Sequence, residues 1–166
     1  PGPLAAESDG VFAVGELVLI EGSGFGRQPT IGIAGRPAEI RWRTAGGGIV
    51  SQIPAASAIG AQTVWVQSGG GRAAADLTIY RLAVVLDGRR GQVQALRIGR
   101  GPDGAPTVAA AGPPLLIPGA NALALSYDGA AAYVLTAGAP YSSVAIIDLV
   151  APGGPRIADT RQLRHA

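Results

Sequence analysis

The apolar run Leu17-Val18-Leu19-Ile20 is followed almost at once by Gly22-Ser23-Gly24-Phe25-Gly26, and the next element decides what this chain can fold into. A Gly-x-Gly-x-Gly behind a buried strand can cradle a pyrophosphate, but only where a helix opens directly after it. Here the chain continues Arg27-Gln28-Pro29 and then Thr30-Ile31-Gly32-Ile33-Ala34-Gly35, a β-branched alternation cut by Pro and Gly that would not hold a helix. The dinucleotide reading fails on that ground. The alternative is a corner between two strands, with the glycines at positive φ and Phe25 folded back to plug the end of a core. On this reading Gly22, Gly24, Phe25 and Gly26 are structural residues and the fold is all-β.

Composition points the same way. Twenty-six glycines and thirteen prolines without a fixed short period punctuate strands rather than helices, and 48% apolar residues in a chain of 166 suffice for a core. The net charge is +2 and every basic residue is Arg. The pairs Arg41 with Arg43, Arg89 with Arg90 and Arg97 with Arg100 are few, dispersed and near aspartates, so no nucleic-acid partner is expected. Absence of Cys excludes a disulfide frame and any thiolate nucleophile or metal ligand. The start Pro1-Gly2-Pro3 and the lack of Met lead to the expectation of a longer precursor that lost a signal peptide, hence a secreted, periplasmic or cell-surface location. The longest uncharged stretch, 106–127, is broken by Pro113, Pro114 and Pro118, so no membrane span is expected.

After a polar leader, residues 11–20 read as one or two strands interrupted near Gly15. Thr30–Ala34 is the next strand, and Gly35-Arg36-Pro37 reads as a turn. In Glu39-Ile40-Arg41-Trp42-Arg43 the alternation places Ile40 and Trp42 on one face and the charges on the other. Ile49–Ile53, Gly60–Gln67 and Ala74–Tyr80 follow, with Gly-rich turns at 44–48 and 68–72. Val64, Val66, Leu77 and Ile79 are the inward residues. Short strands at such spacing indicate two packed antiparallel sheets. The ordered set of Gly22–Gly26 corner, Gly35 turn, Ile53-Pro54 strand end, Gly60-x-x-x-Val64-x-Val66 and Gly69-Gly70-Gly71 resembles an IPT/TIG domain over roughly residues 10–80. The resemblance implies an immunoglobulin-like sandwich that serves binding or spacing. Such domains occur in cell-surface receptors, bacterial surface proteins, polysaccharide-degrading enzymes and some transcription factors, and no companion DNA-binding domain is visible here.

Only Arg81 separates Tyr80 from Leu82-Ala83-Val84-Val85-Leu86, so a second domain, 82–166, should abut the first, 1–81, without a flexible linker. It repeats itself at an offset of about fifty residues. Ala83–Leu86 matches Ala132–Leu135, Val93–Ile98 matches Val144–Leu149, and the turn Gly101–Pro106 matches Ala151–Pro155. An extra strand, Asn121–Ser126, precedes the second copy. The piece Ala122–Gly129, with Ala132-Tyr133-Val134 and Val144–Leu149, resembles a YVTN-type β-propeller repeat, although Tyr127 stands where that family usually has Pro. The resemblance implies about two antiparallel blades, short of the four a closed propeller needs. Leu82–Leu86, Leu123–Leu125 and Val144–Ile147 would then need cover from the first domain, another subunit or further blades, and strand edges would be open for pairing.

No catalytic set stands out. The one imidazole is His165, beside the C-terminus, and the carboxylates of Glu7, Asp9, Glu16, Glu21 and Glu39 are scattered. Asp87-Gly88, Asp103-Gly104 and Asp128-Gly129 read as tight turns rather than calcium loops, so neither a metal nor a cofactor is expected. Alternation pushes Trp65 outward, either as a binding platform or, the first expectation, as a cover for a neighbouring domain. Trp65, Arg41 and Arg43 are the candidate binding residues. The sequence thus predicts a non-enzymatic module binding protein or glycan. The alternatives are the accessory N-terminal part of a larger extracellular enzyme and a structural subunit of an extracellular assembly.

Overall fold

A computed structural model describes residues 10–69, 71–138 and 141–163. The polar leader before Gly10, Gly70 of the expected 68–72 turn and His165 lie outside the described residues. The described chain is all strand and turn. In order come β1 (Val11–Ala13), β2 (Leu17–Ile20), β3 (Thr30–Ile33), β4 (Arg36–Ala38), β5 (Ile40–Arg43), β6 (Ile49–Gln52), β7 (Gly60–Ser68) and β8 (Gly71–Asp87). The remainder supplies β9 (Gln92–Arg100), β10 (Pro106–Ala110), β11 (Leu115–Leu116), β12 (Ala120–Leu125), β13 (Ala131–Thr136), β14 (Ser142–Asp148) and β15 (Arg156–Leu163).

These strands form three sheets, none closed on itself. The largest runs β10-β9-β8-β7-β3-β4, with β1 added in parallel to β8 and β11 to β9. A three-stranded sheet, β2-β6-β5, faces its first half, and a four-stranded meander, β12-β13-β14-β15, faces its second half. Every strand pair except β1 with β8 is antiparallel.

Two cores result. The first gathers Val18, Ile49 and Ile53 from the small-sheet side against Ile31, Ile33, Val64, Val66, Leu77 and Ile79. The second gathers Val93 and Ala95 against Ala132, Val134, Ala145 and Ile147, with Leu82, Val84 and Leu86 packed onto them. Both draw on β8, which runs for 17 residues straight through the expected domain boundary at Arg81. Its core-facing positions are odd at the buried Leu77 and Ile79 and even at the partly buried Leu82, Val84 and Leu86. Since neighbouring residues of a strand point to opposite sides, the two cores lie against opposite faces of one strand.

Two local readings need correction. The turn after β3 is Ala34-Gly35, both at positive φ (51° and 73°), and Arg36-Pro37 belongs to β4. That strand is the edge of its sheet, where a missing N–H is tolerated. The face expected for Ile40 and Trp42 also splits. The β5–β6 register shifts between these two residues, so Ile40 packs on the core while Trp42 is 43% exposed.

A strand shared by both cores couples their stability. Ile147→Ala, a deletion in the second core, should cost about 2–5 kcal/mol. It should lower the urea midpoint reported by Trp42 and Trp65, which both lie before Arg81. A tryptophan midpoint equal to wild type, with a displaced far-UV transition, would show that the halves unfold separately.

Candidate functional site

The sequence-predicted binding residues go to three different places. Trp65 lies outward on β7, directly opposite Gly32 of β3. Its indole covers that glycine so closely that a Cβ there would sit 2.2 Å from the ring. The Arg72 guanidinium stacks at 4.5 Å on the ring. Both neighbours precede Arg81, so what covers this tryptophan is its own sheet. Arg43 turns to the glycine corner, donating to the carbonyls of Gly26 (2.7 Å) and Arg27 (3.3 Å). Gly24 and Gly26 there have φ of 75° and 63°. The half-buried Phe25 ring lies over Gly22, where a Cβ would be 2.6 Å from it, and packs on the first core. Arg41 alone faces a sizeable concavity.

That concavity is a cleft of about 520 Å³ between the edge of the first core and a turn of the second. One wall is Pro37, Ala38, Glu39 and Arg41, the floor is Gln52 to Ala55, and the other wall is Ser126, Tyr127 and Asp128. Three chain segments far apart in sequence meet here. The Arg41 guanidinium pairs with Glu39 at 3.2 Å and donates to the Gln52 amide oxygen. The Gln52 amide nitrogen donates to the Gly15 carbonyl (2.7 Å) and to Asp128 (3.3 Å). Carboxylate, guanidinium, amide and carboxylate thus stand in one hydrogen-bonded row.

The turn that presents Asp128 is fixed by its own side chains. The Ser126 hydroxyl donates to the Asp128 carboxylate at 2.6 Å, the Ala130 N–H at 3.1 Å, and Gly129 takes φ 76°. The Asp128 carbonyl presses on Gly15, φ 86°, so tightly that a Cβ there would fall 2.4 Å away. Gly15 is the contact that lets the two halves close. The floor is braced from behind, because Arg81 donates to the carbonyls of Ala55 (3.1 Å) and Ser57 (3.3 Å). Tyr127 also lines the cleft and is 98% exposed.

The Ser126 hydroxyl holds the Asp128 carboxyl below its ordinary value of 3.8. Burial opposes this, while the Ala130 amide and Gln52 reinforce it. Asp128 is therefore ionised at neutral pH. Among the described residues, no three His, Asp or Glu come together as a metal site, and no helix is long and apolar enough to cross a membrane.

Tyr127, Asp128 and Gln52 were missed as site residues by sequence reasoning. The available signal was an aromatic residue beside Asp-Gly in a turn, where no core can receive it. Compared with protein-family models, with curated proteins and with solved structures, the chain finds no match.

Two measurements check this geometry. Gly32→Ala should cost about 1–3 kcal/mol by displacing the indole, and the loss should vanish in a Trp65→Ala background. Additive effects would mean that the ring does not lie on Gly32. For Asp128, a depressed folded-state value means the unfolded chain binds more protons below the ordinary value. Its stabilisation is present above pH ~4 and lost as pH falls through the folded value. The Tm gap between wild type and Asp128→Asn should therefore be wider at pH ~6 than at pH ~3. A gap independent of pH would exclude this role.

Proposed function

We propose that the chain is a non-enzymatic interaction module of a secreted, periplasmic or cell-surface protein, binding a partner through the cleft between Arg41 and Asp128. Of the protein and glycan partners such a module could serve, a hydroxyl-rich glycan fits the cleft chemistry better. Architecturally, the reading combines an immunoglobulin-like sandwich over 1–81 with about two propeller-type blades over 82–166.

One observation carries it: an aromatic ring that the fold does not use lines the same cleft as a row of fixed polar groups. Tyr127 is 98% exposed beside Glu39, Arg41, Gln52 and Asp128. A sugar has a face of C–H groups that suits an aromatic ring and a rim of hydroxyls that both donate and accept. Carboxylates accept and a guanidinium donates, so the row meets such a rim with few unpaired groups. The polar groups are already held by one another, which reduces the ordering cost of binding.

A glycan array followed by calorimetry tests the reading. Tyr127→Ala should weaken binding by about tenfold or more, roughly 1.4 kcal/mol. It should leave Tm within about a degree, since the ring makes no buried contact. An array without signal, or an affinity indifferent to both Tyr127→Ala and Arg41→Ala, would remove the glycan reading.

A further inference from the structure

The strand pattern that recurs about fifty residues apart carries more than a resemblance between sheets, because the repeat preserves which face each residue takes. In β8 and β9 the residues facing the four-stranded meander are Val84, Leu86, Val93 and Ala95. Their counterparts in β13 and β14 are Tyr133, Leu135, Val144 and Ile146, which share one face through the pairs Tyr133 with Ile146 and Leu135 with Val144. None of these four belongs to the second core. They point away from it, and Tyr133 is 42% exposed.

The opposite faces correspond in the same way. Ala132, Val134, Ala145 and Ile147 of the meander are buried against β8 and β9. Their counterparts Ala83, Val85, Gln94 and Leu96 share the outer face of β8 and β9, through Ala83 with Leu96 and Val85 with Gln94. Ala83, Gln94 and Leu96 are half-buried there, whereas Val85 is 52% exposed, and Val108 and Leu116, whose partners Ile98 and Gln92 lie on the same side, are 65% and 64% exposed. The two sheets therefore stack front to back, leaving one unused front, to which β15 adds the Arg161–Asp159 ion pair beside Val144 and Ile146, and one unused back, in which Gln94 takes the position that Ala145 has in the buried pair.

We propose that a second copy of this chain docks head to tail, the outer face of its β8–β9 sheet seated on the Tyr133–Ile146 face of the first. The second core supplies the template, since it joins faces made from the same repeat positions. A front-to-back contact is heterologous, so it propagates or closes into a ring rather than stopping at a symmetric dimer. The inference is independent of the cleft and of any ligand it holds.

Sedimentation velocity and light scattering across a concentration series test it. The wild-type chain should show a weight-average mass that rises with concentration past the dimer. Val85→Asp blocks the back and Tyr133→Asp blocks the front, both at positions more than 40% exposed, and each variant alone should stay monomeric. Mixed in equal amounts, the two should form one 1:1 dimer that does not grow, because one retains the front and the other the back. Val108→Asp and Ala124→Asp, on the same two faces, give a second pair should circular dichroism show that a first variant fails to fold. A wild-type chain monomeric throughout, a single variant that still associates, or a mixture that stays monomeric would each overturn the proposal.

Discussion

Everything in this fold hangs on β8. Seventeen residues in one strand span roughly 55 Å at about 3.3 Å per residue, and no bulge interrupts the pairing with β7 or β9. A strand that long needs partners along both halves, and it has them. Residues 71–79 pair with β7 and residues 81–87 with β9, whose end brings Arg100 beside Gly60 at the start of β7. The change from odd to even burial near Arg81 is what allows one strand to serve two cores. It also explains the bare patch. Past Arg81 the odd face leaves the cover of the small sheet, and Val85 comes out into solvent.

The legible part of the fold was the part written in local alternation. Val64 with Val66 and Leu77 with Ile79 announced an inward face, and all four are buried. Dense Gly and Pro announced strands and turns, and strand residues running from Leu77 to Leu86 with only Arg81 between Tyr80 and Leu82 announced a junction without a linker. Alternation failed where the pleat itself is irregular. The register slip at Ile40 and Trp42 exposes an indole that strict periodicity would have buried. Such a slip depends on the partner strand and on the glycine corner that Arg43 ties down, and neither is readable from five residues.

The candidate site was mostly illegible for a related reason. Its parts come from residues near 15, 40, 53 and 127, and only the folded chain brings them together. Of the three residues chosen from the sequence, Arg41 reaches the cleft, Arg43 braces a loop, and Trp65 is spent on covering Gly32. An outward aromatic in a strand has cross-strand neighbours to lie on, as Trp65 does. One at the tip of a turn has none. The distinction makes Tyr127 the more informative aromatic, and it rests on local structure rather than on residue type.

The same long strand accounts for the rigidity of the cleft. Its floor, Gln52 to Ala55, is tied to β8 through Arg81, and its far wall grows from the sheet that packs on the even face of β8. The walls therefore cannot separate by a hinge at the boundary, because the boundary is a hydrogen-bonded strand. At the cleft itself the halves meet through Gly15 against the Asp128 carbonyl and Gln52 against its carboxylate. Gly15 is at positive φ with no room for a Cβ, so the halves approach as closely as a backbone permits. Closure is thus set by covalent geometry at one residue and by a charge at the other. Of the two, only the charge responds to solution conditions, since the Asp128 carboxylate accepts from Ser126 and Ala130 within its turn and from Gln52 across the cleft.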